Sequence, residues 1–157
     1  MECRLAEPRD AERLADLFVA MQAHYRVPCP PRPTIVADLA ALPPGNRILI
    51  AEDGETVLGL AAFAEIWPGP GLRKGLFLKE LYVADEHRGV GVGHRLMAAL
   101  AGFARAAGHQ RIDWTADRDD TDLLRFYDRT GAGREDSKLF YRLTGDRLIE
   151  MAAARGR

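Results

Sequence analysis

Gly89, Gly91 and Gly93 occupy alternate positions just ahead of a run in which Leu96, Leu100, Phe103, Ala104 and Ala107 recur at three- and four-residue steps. A glycine-rich turn that opens an amphipathic helix is suited to holding an anion. Without Cβ atoms in the way, several backbone N–H groups can converge on one group, and the helix start adds unpaired N–H groups and about half a positive charge. The stretch therefore reads as a pyrophosphate seat, with Arg88 able to add a charge or to brace the loop. Two other phosphate motifs fail on spelling. A P-loop needs Gly-x-x-x-x-Gly-Lys-Ser/Thr, which does not occur here. A dinucleotide fingerprint needs Gly-x-Gly-x-x-Gly directly after a strand, but His94 and Leu96 stand where the third glycine should be, and 84–88 separate strand from glycines. Asp113 lies where a ribose-binding acid would be expected, yet only one strand-helix-strand unit is visible, so its position is taken as coincidence.

Metal chemistry finds little support in the residue spacing. His24, His87, His94 and His109 are scattered, and Cys3 and Cys29 are too few and too far apart for a metal site or a disulfide framework. Asp117, Asp119, Asp120 and Asp122 lack the glycine and distal glutamate of a calcium loop, and helix capping accounts for them better.

The elements that must position these groups can be taken in order. Residues 1–5 suit a first strand, and Glu7-Pro8 opens a helix with Leu14, Leu17, Phe18, Met21 and Tyr25 on one face. Four prolines in 27–33 impose an extended connector, and a short helix runs from Thr34 as N-cap to Leu42. The apolar runs 47–52 and 56–65 form a hairpin through Asp53-Gly54, and a third strand follows at 75–83. After the helix behind the glycines, a strand is expected at 111–116, a helix at 121–130 closed by Gly131, a strand at 138–144, and a last helix at 146–154 with Leu148, Met151 and Ala152 inward. This order describes one α+β domain over 1–157, its sheet of mixed direction.

Composition agrees with a soluble globular chain: 47% hydrophobic, 29% charged, with a net charge of −1 that leaves no footprint for nucleic acid or an anionic membrane. No apolar run reaches membrane-span length and 1–10 lack a signal-peptide core, so the expected location is cytoplasmic.

Arg88-Gly89-Val90-Gly91-Val92-Gly93, after a strand ending Leu81-Tyr82-Val83, resembles the coenzyme A loop of the GNAT superfamily of N-acetyltransferases. The resemblance implies a mixed, mostly antiparallel central sheet with helices on both faces. In it, the strands 75–83 and 111–116 splay into a V that receives acetyl-coenzyme A as co-substrate, with no metal. Leu81, Tyr82, Val83, Arg88, Gly89, Val90, Gly91, Val92, Gly93, His94, Asp120 and Leu123 would contact it, although Asp120 replaces the usual asparagine. The string Phe126-Tyr127-Asp128-Arg129-Thr130-Gly131 resembles the family segment whose tyrosine protonates the departing thiolate. A phenol, with its ordinary pKa near 10, is protonated at neutral pH and can donate. Glu80, an acid inside an otherwise apolar strand, is the candidate base, acting directly or through a water. An oxyanion would be met by a backbone N–H near 81–83.

Residues 76–152 further resemble the spermidine/spermine and thialysine N-acetyltransferase group. By that likeness Tyr25, Asp113, Trp114 and Thr115 would line an acceptor pocket, and the chain would form a homodimer. The group's polyamine enzymes carry acids where this chain has Lys79-Glu80 and Tyr25-Arg26. Arg26 and Lys79 would repel a polycation and suit a small amine that also bears a carboxylate. Strand alternation places Lys79 and Glu80 on opposite faces, so only one of them is expected in the cleft. A different class of function also fits the loop: a non-catalytic acyl-coenzyme A binding domain.

Overall fold

The computed structural model describes residues 1–154. Five strands lie in the order β1-β2-β3-β4-β5: β1 (Glu2–Leu5), β2 (Asn46–Asp53), β3 (Thr56–Ile66), β4 (Gly75–Val83) and β5 (Ile112–Asp113). The first four pair antiparallel, and β5 joins β4 in parallel. Helices α1 (Ala11–His24) and α2 (Arg32–Ala40) precede β2, α3 (Val92–Ala106) crosses from β4 to β5, and α4 (Thr121–Asp128) and α5 (Gly145–Ala153) follow. This is the expected mixed, mostly antiparallel sheet with helices on both faces.

Strand alternation explains the two cores. In β2, Ile48 and Ile50 face α1 and join Leu14, Met21 and Leu60, while Leu49 and Ala51 turn to α3 and meet Leu76, Leu96 and Leu100. A strand buried on both faces must read as a continuous apolar run, as Ile48 to Ala51 does. The start of α1 is fixed by charge instead. Asp10 is buried; Arg4 of β1 donates to it at 2.7 and 2.8 Å and to Glu52 of β2 at 2.5 Å, and Arg13 donates to Asp10 at 2.6 Å and to Glu52 at 2.9 Å. These guanidinium hydrogen bonds hold the Asp10 and Glu52 carboxyls below their ordinary pKa values.

Several expected boundaries shift. The second helix begins at Arg32 rather than after Thr34, because Arg32 donates to Asp16 at 2.7 Å and pairs with Glu12 of α1. The expected strand 111–116 is only Ile112–Asp113. The expected strand 138–144 does not form, and Leu148, Met151 and Ala152 are exposed rather than inward. Alternation alone does not make a strand: among the described residues the segment 138–144 pairs with neither edge of the sheet.

The shortness of β5 makes the V. Pairing between β4 and β5 covers Leu76↔Ile112 and Phe77↔Asp113 and then stops, while β4 runs on to Val83. Beyond Phe77 the two strands are no longer paired, and the free end of β4 leads through the glycine loop into α3.

Candidate active site

The glycine loop sits at one side of that gap. Gly89 and Gly91 have φ of +77° and +90°, conformations that strain a residue bearing Cβ, and a Cβ at either would meet nothing within 4 Å. The space beside both glycines is therefore open. Gly91 is the N-cap of the 15-residue α3, and among the described residues no side chain caps its first turn and no acid lies in it. The N–H groups there remain free for an anion, so the residues present fit a pyrophosphate.

Arg88 proves to be the brace. It donates to the Val83 carbonyl at 3.0 Å, pairs with Asp85 at 2.8 Å and lies 5.5 Å above the Tyr82 ring. Leu81, Val83 and Val92 anchor in the α3-side core, so they offer the site backbone rather than side chains, and Tyr82 turns to the α1-side core, where burial raises its pKa. Val90 and His94 are exposed at the seat.

Helix α4 closes over the loop. The Asp120 carboxylate accepts from the Leu123 N–H at 2.9 Å, which caps the helix. Phe126 then lies where a Cβ at Gly93 would come within 3.2 Å of its ring, so glycine at 93 is what lets α4 approach α3. One residue on, Tyr127 packs its ring 5.2 Å from Trp114 and 5.1 Å from Phe126. Burial pushes its phenol up to about 12, with smaller contributions from nearby Tyr25 and Glu80. Tyr127 is thus a protonated donor placed beside the gap and within electrostatic reach of Glu80. The Tyr25 phenol is raised as well, by burial first and then by Glu80.

Glu80 and Lys79 depart from the alternation expected of them. Ala62 pairs with Glu80 but Phe63 pairs with Leu78, so Lys79 is the extra residue of a β-bulge. Both side chains consequently reach one cavity of about 540 Å³ on the α1–α2 face, and they are ion-paired at 3.1 Å. Phe18, which the sequence placed only on the apolar face of α1, also lines it, as do Gln22, Asp38, Asn46 and Arg47, none of which stood out in the sequence. Their signal was faint, because they come from α1, α2 and β2, and only the fold gathers them. Arg26 is exposed at the end of α1 with φ +56° and is not part of this lining, nor are Tyr25, Asp113, Trp114 and Thr115. Asp113 instead pairs with Arg111 at 3.0 Å, and Thr115 is exposed. Among the described residues no group of three or more His, Cys, Asp or Glu is placed to hold a metal, and no helix is long and apolar enough to cross a membrane.

A glycine seat at a helix start, a V opened by a short parallel strand and a tyrosine on the following helix define an acetyltransferase architecture. The family model for the acetyltransferase (GNAT) family matches residues 12–132, and the chain belongs to that family. It is 30% identical over 105 residues to N-acetyltransferase 8F1 of Rattus norvegicus, covering 65% of this chain and 48% of that protein. It is 27% identical to the L-ornithine N5-acetyltransferase of Arabidopsis thaliana, covering 59% of this chain and 40% of that one. The chain thus spans about half or less of these curated relatives. An integron cassette protein from the mobile metagenome of V. cholerae superposes with a TM-score of 0.89 at 26% identity, covering 98% of both chains.

Proposed function

We propose that this chain is a single N-acetyltransferase domain that moves the acetyl group of acetyl-coenzyme A to a primary amine of a small molecule by direct attack. The observation that carries the reading is Tyr127, a half-buried phenol that burial holds protonated, packed on Trp114 just past β5 and on Phe126, which itself contacts Gly93. A domain that only bound the coenzyme would need no donor at the sulfur.

The residues divide the work as follows. Backbone N–H groups of 89–93 hold the pyrophosphate and so place the thioester between β4 and α4. Glu80 takes a proton from the acceptor ammonium, directly or through a water, which frees the nitrogen lone pair. As nitrogen bonds to the acetyl carbon, charge builds on the carbonyl oxygen, and a backbone N–H of 81–83 meets it. The C–S bond then breaks, the Tyr127 hydroxyl gives its proton to the sulfur, and the nitrogen, positively charged since it bonded to carbon, gives its second proton to solvent. The products are an amide and a free thiol, and Tyr127 regains its proton from solvent.

For the acceptor, the cavity lining points to an amine that also carries a carboxylate. Asp38 and Glu80 are matched there by Arg47 and Lys79, a balanced set that offers no excess of acid to draw in a polycation. An amino-acid diamine presents both signs. Support also comes from the likeness to an L-ornithine N5-acetyltransferase. The test is competition between equal ornithine or thialysine and spermidine, with acetylated products measured by mass spectrometry. Preference for the amino acids is expected; preference for spermidine would overturn this choice of acceptor. The working unit in this reading is a homodimer.

A further inference from the structure

Helix α2 fully buries none of its nine residues. It is tied to α1 by charge at its first residue, where Arg32 donates to Asp16 at 2.7 Å and pairs with Glu12. Its apolar side, Ile35 and Leu39 four residues apart, is left half-buried along the 540 Å³ cavity. Phe18 of α1, Leu42, Ile48 of β2 and Ala62 of β3 line the same space. Four elements thus present apolar residues to one recess, whose volume is that of a small-molecule site.

The charge in this cavity is arranged just as specifically. Of the charged residues lining it, only Lys79 and Glu80 are joined to each other, at 3.1 Å. Lys79 is the more exposed of the two and Glu80 the more sheltered, with side chains 68% and 25% open. The bulge in β4 makes the pair possible, because consecutive residues of a regular strand point to opposite faces. Two opposite charges side by side match the two that an α-amino acid carries, since covalent geometry holds its nitrogen about 2.5 Å from its carboxyl carbon. Bound there, the amino acid keeps every charge partnered: its ammonium takes Glu80 and its carboxylate takes Lys79. Its side chain is then left to the apolar walls, where a charged terminus such as that of ornithine would lose its hydration without gaining a partner.

We propose that the acceptor is the α-amino group of an amino acid with an apolar side chain, read by Lys79 at its carboxylate, by Glu80 at its ammonium and by the recess between α1 and α2 at its side chain. The inference rests on the acetyltransferase reading above and narrows its acceptor. The reaction balances as before. The α-nitrogen bonds to the acetyl carbon and the C–S bond breaks; the ammonium loses one proton to Glu80 and a second to solvent, and the sulfur takes the proton of Tyr127.

The test measures kcat/KM of the full chain for leucine, phenylalanine, alanine, ornithine and 3-methylbutylamine, which is leucine without its carboxylate. Tandem mass spectrometry locates the acetyl group. Burial of three further carbons should favour leucine over alanine by roughly 10- to 100-fold. Loss of the carboxylate should cost about 10-fold or more. Lys79→Met should abolish the preference for leucine over 3-methylbutylamine and Lys79→Arg should keep it, while Leu39→Asp should lower leucine more than alanine. The series on native protein decides the matter even where a variant fails to fold. Alanine as good as leucine, ornithine acetylated at its side-chain nitrogen in preference to leucine, or a carboxylate preference that survives Lys79→Met would each overturn the proposal. Transfer to ornithine or spermidine but not to leucine would do so while leaving the acetyltransferase reading intact; no transfer to any amine would overturn both.

Discussion

Replacing Tyr127 by phenylalanine removes one oxygen and one proton from the proposed site. The ring contacts to Trp114 and Phe126 remain, and among the described residues nothing hydrogen-bonds to the Tyr127 hydroxyl, since Thr130 binds its backbone carbonyl. The fold should therefore survive with little change in melting temperature. The lost interaction is a hydrogen bond to a sulfur that becomes charged only as the C–S bond breaks. Hydrogen bonds to charged groups are worth about 1.5–3 kcal/mol, which converts to a fall in kcat of about 10- to 150-fold. Because the donor acts late, the affinity for acetyl-coenzyme A should change by only a few fold. The assay is steady-state thiol release at saturating acceptor, with cofactor affinity measured separately by calorimetry. Native turnover in the variant, or a loss confined to cofactor binding, would refute the reasoning. The pH dependence has a definite sign. With Tyr127 pushed up to about 12, the native state favours the protonated phenol, so its contribution to stability is complete below about pH 10 and disappears as pH rises through about 12. Alkaline unfolding should accordingly set in earlier in native protein than in the phenylalanine variant.

Other consequences are accessible to simple measurements. Acetyl-coenzyme A at a hundred times its dissociation constant should add about 2.7 kcal/mol, or roughly 5–10 °C in a thermal melt, and NAD should add nothing; an unchanged melt with acetyl-coenzyme A would remove the cofactor seat. Asp10→Ala leaves Arg4 and Arg13 to share Glu52 alone at the start of α1 and should cost about 3 kcal/mol by urea denaturation, so a loss under 1 kcal/mol would show the network to be incidental. Since the Asp10 and Glu52 carboxyls are held low, their stabilisation is present above about pH 4 and is lost as pH falls below that, and the variant's acid unfolding should be less steep. Lys79→Glu should move acceptor preference toward spermidine, whereas Arg26→Glu, outside the cavity lining, should not; equal effects would contradict the cavity as the acceptor site.

What could be read from the sequence was whatever local chemistry dictates. The glycine spacing, the amphipathic α3 and the Asp53-Gly54 hairpin are written in consecutive residues, and their elements form within a residue or two of expectation. The β-bulge was not readable, because it depends on the register between β3 and β4, and it overturned the alternation that had sent Lys79 and Glu80 to opposite faces. The cavity beside Glu80 was hidden for a similar reason: Phe18, Asp38 and Arg47 belong to three different elements. The segment 138–144 failed differently. Its alternation is that of a strand, but alternation does not name a partner, and among the described residues this segment pairs with no edge of the sheet.

The central claim is that the glycine seat and Tyr127 serve acetyl transfer and not cofactor binding alone. Its most direct measurement is thiol release from acetyl-coenzyme A, followed continuously with and without a panel of amines that includes ornithine, thialysine and spermidine. Release should depend on the acceptor, saturate with it and yield one equivalent of N-acetylated product per thiol. Tight binding of acetyl-coenzyme A with no amine raising thiol release above background hydrolysis would contradict it.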